Sequence, residues 1–189
     1  SNVRADFEAA LAKLREAGAR ITTGRFTPFE RIAATLRKGG LSASESHHWH
    51  KDLIARRQNM YDPRVLARIM RGTEQSATDY LELLHQRRLV IAEFERAVQN
   101  FDAILSPTVP ITAPRIEDCA GDADYTRLNM QTLRNTLILN VVDGCSLALP
   151  MHRPGTAPTS LMVSGPAMAD ARILGIAQAI ETVLGRPSS

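Results

Sequence analysis

The chain has 189 residues, of which 44% are hydrophobic and 23% are charged, and its formal net charge at pH 7 is +3. These values are ordinary for a globular protein. The basic residues are interspersed with acidic ones, whereas nucleic-acid binders usually collect them on one face. No apolar run approaches the roughly 18 residues of a membrane span. We therefore expect one domain over residues 1–189 that binds neither nucleic acid nor membrane.

The chain is predicted to begin with a helix and a short strand. Ser1-Asn2 is typical of a cleaved tag, which would make the chain a piece cut from something longer. Apolar residues at helical spacing from Val3 to Leu14 predict a helix that Gly18 ends. Ala19–Thr23 then predicts a strand, and the order helix, glycine stop, strand is a unit of α/β architecture.

Three more helices are predicted before residue 72. Pro28 suits the first turn of one of them. Ser42 and Glu45 have the spacing of a capping box, which places the start of the next helix near Ala43. Asp62-Pro63 is predicted to open the third, with the aspartate as its cap.

The longest predicted helix, capped by Ser76 or Thr78, leads into a short apolar run. That run, Ala103–Leu105, is predicted as a buried strand. Pro107 ends the strand because it has no N–H group, and the prolines that follow make Ser106–Pro114 extended and stiff. Such a loop either forms the wall of a pocket or is a rigid surface connection.

The C-terminal part is predicted to contain two strands between two helices. Leu128–Ile138 predicts a helix, and Cys145–Pro150 and Thr159–Ser164 predict an antiparallel pair of strands. Asp170 is predicted to cap the last helix. We therefore expect an α/β, helix-rich fold with about four short strands that belong to a larger mixed sheet.

The chain has one histidine cluster, His47-His48-Trp49-His50. His47 and His50 lie three residues apart on a predicted helix and could share a metal ion. No third ligand follows at a familiar spacing, so we predict no metal site and keep a zinc site as an alternative. No Walker loop and no dinucleotide glycine pattern is present, and we expect no cofactor.

Residue chemistry alone also predicts no catalytic group. Gly144-Cys145-Ser146 superficially resembles a nucleophile elbow, but the second glycine is missing and a proline follows where a helix should start. Cys145 is better explained as a small core residue. Cys119 and Cys145 suggest no disulfide framework, which fits a reducing cytoplasm. Around Asp102, Asp143 and Asp170 the sequence shows no base that would complete a catalytic pair.

Several short motifs nevertheless occur in a recognisable order. Asp102 to Pro114 spells Asp-x-Ile-Leu-x-Pro-Thr-x-Pro-x-x-Ala-Pro. It is followed by Leu133-Arg134-Asn135-Thr136, Leu149-Pro150, Pro158–Val163 and Asp170–Ala177. In this order the chain resembles the C-terminal part of the amidase signature family of amide hydrolases over about 180 positions.

The resemblance implies that the catalytic residues lie outside this chain. The family uses a Ser–cis-Ser–Lys triad in a glycine- and serine-rich segment that precedes all the motifs above, and no such segment occurs here. Ser146 also stands where the family has a proline in Gly-x-Pro-Ala. We therefore expect a C-terminal amidase portion that is inactive alone, its serine chemistry being supplied by an absent N-terminal half.

The resemblance also implies which residues bind substrate. Pro107, Thr108 and Val109 are expected to line the acyl side of the pocket, with Asn140 and Gly144 in a turn near its mouth. Purely structural roles are the alternatives: Asn140 satisfying turn backbone and Gly144 adopting a positive φ. The expected partners are a small amide substrate, the absent half and, through uncovered apolar surface, a second copy. The remaining alternative is a free-standing, non-catalytic binding module.

Overall fold

A computed structural model describes residues 2–24 and 28–185, so Ser1 of the expected tag lies outside the described residues. The helix-rich α/β class is confirmed: the described residues form seven α-helices and a sheet of three strands. None of these helices is long and apolar enough to cross a membrane. The helices are α1 (Asn2–Glu16), α2 (Pro28–Thr35), α3 (Gly40–Arg57), α4 (Pro63–Met70), α5 (Ala77–Val98), α6 (Asp122–Val141) and α7 (Asp170–Leu184). The strands are β1 (Ile104–Pro107), β2 (Cys145–Pro150) and β3 (Ser160–Gly165).

The chain divides into two compact units. Ser1–Arg25 and Phe94–Ser189 form the first, which we call the sheet unit. Phe26–Glu93 forms the second, which we call the helical unit. That the whole chain acts as one domain stays a prediction.

The sheet is built around β3, which pairs with β1 on one side and β2 on the other. Both pairings are antiparallel, which confirms the predicted pairing of the two C-terminal strands. Pro107 lies opposite Leu161 and Pro150 opposite Ser160. The prolines that end β1 and β2 are therefore placed at the same end of the sheet.

The core of the sheet unit lies on the face of the sheet that α1 and α7 contact. Alternate residues of each strand point to that face, and Leu161 and Val163 at its centre are both 0% exposed. The other buried residues of this cluster are Leu14, Leu149, Ile173, Ala177 and Ile180.

The predicted strand Ala19–Thr23 was wrong. These residues follow α1 without regular secondary structure and join no ladder among the described strands. Gly18, at φ +94°, turns the chain out of α1 as predicted, and the Ala19 N–H donates to Leu14 O at 2.9 Å. Ile21 packs against the core. β-type residues form a strand only where a neighbouring strand accepts them, and no described strand pairs with this segment.

Two of the predicted helix caps in the helical unit are confirmed. Asp62 caps α4, its Oδ1 accepting from the Arg64 N–H at 2.8 Å and the Val65 N–H at 3.1 Å. Ser76 caps α5, since its Oγ accepts from the Asp79 N–H at 3.1 Å. Asp79 Oδ2 in turn accepts from the Ser76 N–H at 2.9 Å, which completes a capping box.

Two other predicted caps were wrong. α3 begins at Gly40, and its N-cap is Gly39 in a left-handed conformation, so Ser42 lies inside the helix and donates to Gly39 O. Asp170 is the first residue of α7 rather than its cap, and the Ala169 position before it makes no side-chain cap bond. Asp170 still places a negative charge in the first turn, where the helix dipole favours it.

A close approach joins α3 to the 3₁₀ turn Arg71–Glu74. A Cβ at Gly72 would lie 2.6 Å from the Cβ of His47 and would overlap the Ala43 carbonyl. Gln75 fixes the same region, because its Nε2 donates to Lys38 O at 2.7 Å and to Gly40 O at 2.9 Å. Packing within the helical unit thus depends on the absence of a side chain at position 72.

Gly72→Ala should lower the free energy of unfolding by about 1–3 kcal/mol, because the methyl group meets backbone that cannot move freely. Gly175→Ala is the matched control. A Cβ at Gly175, inside α7, would meet nothing within 4 Å, so this change should stabilise by about 0.5–1 kcal/mol. Urea unfolding followed by circular dichroism measures both, and shifts of the same sign would contradict the close approach.

The cap of α5 predicts a pH dependence of stability. A hydrogen bond from Lys38, and then bonds from the Ser76 backbone and hydroxyl, lower the pKa of Asp79 to about 2. A carboxyl group whose pKa is lower in the folded state stabilises fully above its unfolded pKa, about 3.9, and loses that contribution as the pH falls toward the folded value. The urea midpoint of Asp79→Asn should therefore fall less between pH 4 and pH 2 than that of the unchanged chain. Parallel pH profiles would contradict this role.

Candidate functional site

The loop that leaves β1 is held on both sides at its first two residues. The Pro107 carbonyl accepts a hydrogen bond from Asn135 Nδ2 of α6 at 2.7 Å. Thr108 donates its N–H to Ser160 O at 2.9 Å. Because proline also fixes its own φ, the backbone at Pro107 and Thr108 has little freedom, as a pocket wall requires.

Thr108 has an unmet hydrogen bond. Its hydroxyl oxygen is buried, and within residues 2–24 and 28–185 it has no hydrogen-bond partner. A buried hydroxyl without a partner lowers the free energy of unfolding by about 1–3 kcal/mol, so the Thr108 hydroxyl is unfavourable at this position. The residue as a whole is only partly buried, and its exposed part therefore consists of atoms other than the hydroxyl oxygen. Val109, which follows, is also partly buried.

Asn140 and Gly144 lie elsewhere. Gly144 precedes β2, whose first residue Cys145 pairs with Gly165 at the end of β3, while Pro107 pairs with Leu161 near its start. Four residues of strand separate these two points, which is about 13 Å. The structure therefore brings Pro107, Thr108 and Val109 together and places Gly144 at the other end of the sheet.

The structural roles expected for Asn140 and Gly144 are also different from those observed. Asn140 is not in a turn, since it is an exposed residue of the last turn of α6. Gly144 is not at positive φ, whereas Asp143 before it is, at +55°. The space around Gly144 is tight, because a Cβ there would lie 2.8 Å from Leu139 Cδ1 and 3.0 Å from Gly165 O.

Asn135, which holds the candidate wall at Pro107, was not predicted from the sequence. It belongs to one of the family-like motifs, but no role followed from its position. Nothing in the sequence separates it from Asn140, since both are polar residues of the same helix. Only the placement of α6 beside the end of β1 gives Asn135 a carbonyl to bind.

Ser146, which stands where the amidase pattern has a proline, makes a cross-strand bond. Its Oγ donates to Ser164 Oγ at 2.9 Å. Ser164 is 1% exposed, so the bond satisfies a hydroxyl that water does not reach. Cys145 packs against the core, as expected of a small core residue, and its Sγ donates to Pro166 O at 3.3 Å.

The histidine cluster does not assemble a metal site in the described part of the chain. Nδ1 of His50 lies 2.7 Å from the Tyr61 hydroxyl, and the two rings meet edge to face. Across residues 2–24 and 28–185, no three histidine, cysteine or carboxylate side chains are grouped closely enough to hold an ion. One of the two candidate ligands thus already has a protein partner.

Comparison with known proteins gives matches over most of the chain. The family described as Amidase matches residues 1–174. A 2-amino-5-chloromuconic acid deaminase from Comamonas testosteroni is 31% identical over 98% of this chain. A glutamyl-tRNA(Gln) amidotransferase subunit, from Rhodococcus erythropolis, is 26% identical over 97% of it. Allophanate hydrolase from Kluyveromyces lactis shares the fold, with a TM-score of 0.86 and 21% identity over 97% of this chain and 30% of its own.

The chain is much shorter than these proteins. It spans 40% of the length of the deaminase and 42% of the length of the amidotransferase subunit. The similarity therefore concerns a part of each relative, although it concerns nearly all of this chain.

The hydrogen bond from Asn135 to the Pro107 carbonyl can be tested by Asn135→Ala. Removing the donor leaves a partly buried carbonyl without its partner, which should lower the free energy of unfolding by about 1–2 kcal/mol. Asn140→Ala, an exposed change in the same helix, should alter it by about 0.5 kcal/mol or less. Urea unfolding compares the two, and equal effects would mean that the loop is not held by this bond.

Proposed function

Because the chain belongs to the amidase signature family, we propose that it is the C-terminal, pocket-forming part of an amidase that hydrolyses a carbon–nitrogen amide bond. The fold and the family support an amidase as the parent protein. The position within the parent, the substrate and the role of each residue belong to this proposal.

The loop after β1 is the observation that carries the proposal. Two hydrogen bonds hold Pro107 and Thr108, at 2.7 Å and 2.9 Å. A held, proline-stiffened segment at the end of a partly buried strand suits a surface against which the acyl part of an amide must lie. Holding a substrate in place lowers the activation barrier of the reaction, because the substrate has already lost translational and rotational freedom before the chemical step.

The bond-breaking chemistry, in this proposal, comes from the rest of the parent. A serine oxygen attacks the amide carbonyl, the amine leaves, and water releases the acyl group from the serine. The one serine pair described above, Ser146 and Ser164, has a hydroxyl–hydroxyl bond and no basic partner in that contact. We therefore propose that the 189-residue chain is inactive alone.

The names of the relatives support only the general reaction. A deaminase and an amidotransferase both act where nitrogen is bonded to carbon. They differ in substrate, so none of their substrates is carried over to this chain. We propose a small amide as the substrate class and the N-terminal part of the parent as the main partner, with self-association where that part is missing. Side chains such as Ile116 and Met168, both 94% exposed, favour that association.

A free-standing binding module is the second candidate. The sheet unit has its own buried core around Leu161 and Val163, and this core gives it a basis for folding on its own. The coding sequence upstream of Val3 discriminates the two. A Gly-Gly-Ser-Ser segment with a lysine before it supports the amidase, and a start codon near Val3 supports the module. For either, we propose a cytoplasmic location on the strength of the cysteine pattern.

Val109→Trp in the full-length parent tests the wall. The larger side chain should occupy space meant for the acyl group, lowering kcat/KM for simple amides at least about tenfold. Ala113→Trp is the matched control, since Ala113 is exposed further along the same loop, and it should leave kcat/KM within about twofold. Equal losses in both variants would contradict a wall at Val109.

The isolated chain provides the second part of this experiment. Incubated with the same amides, it should give no turnover. Turnover that a serine-directed inhibitor abolishes would contradict the assignment of the chemistry to the absent part of the parent.

A further inference from the structure

A cavity of about 370 Å³ opens in the sheet unit. It is bounded by one face of α1, by the residues that follow β2 and by the C-terminal end of α7. None of Pro107, Thr108 and Val109 lines it. Its volume is in the range of small-molecule sites.

The α1 face of this cavity carries opposite charges at its two ends. Asp6, Ala9, Ala10 and Lys13 line it, and their spacing of three, four and seven residues puts them on one side of the helix. The two alanines in the middle leave room for a ligand. Seven residues separate the carboxylate from the ammonium group, which is about 10 Å along the helix axis.

Asp6 is a deeply buried carboxylate with little compensation. It is 7% exposed, and its Oδ2 accepts from the Thr159 hydroxyl at 2.8 Å. In the described part of the chain no cationic side chain pairs with it. Buried carboxylates ordinarily have a charged partner or several donors. Asp6 has one donor, the Thr159 hydroxyl, and can still form an ion pair with a cationic group in the cavity.

Two cationic side chains also line the cavity. Lys13 and Arg153 are exposed and form no ion pair with any described residue. His152, also in the lining, directs Nδ1 toward Thr159 O at 3.4 Å, which leaves Nε2 for a ligand. An anionic group at Lys13 would therefore lie about 10 Å along α1 from the carboxylate of Asp6, with Arg153 as a second cation of the lining.

We propose that this cavity binds a short ω-amino carboxylate, with its ammonium group on Asp6 and its carboxylate on Lys13 and Arg153. A zwitterion is favoured over a simple anion because the buried carboxylate would repel an anion and attract the ammonium group. It is favoured over a simple cation because Lys13 and Arg153 would repel that cation. The site is independent of the proposed amidase function, since the two share no residue.

Titration of the 189-residue chain with 4-aminobutanoate tests the site. Amide shifts in the NMR spectrum should saturate at residues of the lining. Butanoate and butylamine each lack one of the two charges, and each should bind at least about tenfold more weakly. These two probes test the charge pattern on the unaltered protein, so their result does not depend on the folding of any variant.

Variants give the second measurement. Lys13→Gln removes the exposed cation, and Asp6→Asn removes the buried charge while its amide oxygen can still accept from the Thr159 hydroxyl. Each should weaken the binding of 4-aminobutanoate at least about tenfold. Arg15→Gln removes an exposed charge from the same helix outside the lining and should leave binding unchanged.

Three results would overturn the proposal. One is the absence of saturable shifts at about 10 mM ligand, where even a weak site would be filled. The second is butanoate or butylamine binding as tightly as the zwitterion. The third is an equal loss of binding in Arg15→Gln and Lys13→Gln, since a general charge effect would then explain the data.

Discussion

The double pairing of β3 is the constraint on which the rest of the sheet unit depends. β3 is buried from Leu161 to Gly165 and gives both of its edges to antiparallel partners. A slip of one residue against either neighbour would turn Leu161 and Val163 away from the core and bring Met162 and Ser164 into it. The register of β1 and of β2 is therefore fixed by the side chains of one strand.

That register decides which features can act together. It sets Pro107 and Pro150 at the start of β3, so that two proline-stiffened segments leave the same end of the sheet. It sets Gly144 at the opposite end, where the closeness of Gly165 O leaves little room for a side chain. A pocket wall is thus possible at the first end, and tight backbone packing characterises the second.

The parts of this arrangement that could be predicted from sequence are local ones. Asp62 before a proline, and Ser76 three residues before Asp79, carry their partners within one helical turn, and both caps form. The predictions that were wrong depended on distant groups. Whether Ala19–Thr23 becomes a strand depends on a free edge of another strand, and the capping-box spacing of Ser42 was overridden because α3 starts at Gly40. Asn135 and the cavity beside Asp6 have no local pattern at all, because their partners are 28 and 153 residues away.

The bond between Thr159 and Asp6 also has a consequence for the order of folding. Its two residues are 153 positions apart, and all of the helical unit lies between them in the chain. During synthesis α1 is complete long before β3 and α7, so its apolar face stays unpacked until those elements have been made. The helical unit is contiguous in sequence and can form its own contacts in the meantime. Ring closure over such a length is entropically costly, and the pairing of β1 with β3 is itself non-local. Although α1 precedes the other described helices in this chain, it is therefore among the last of them to be fixed.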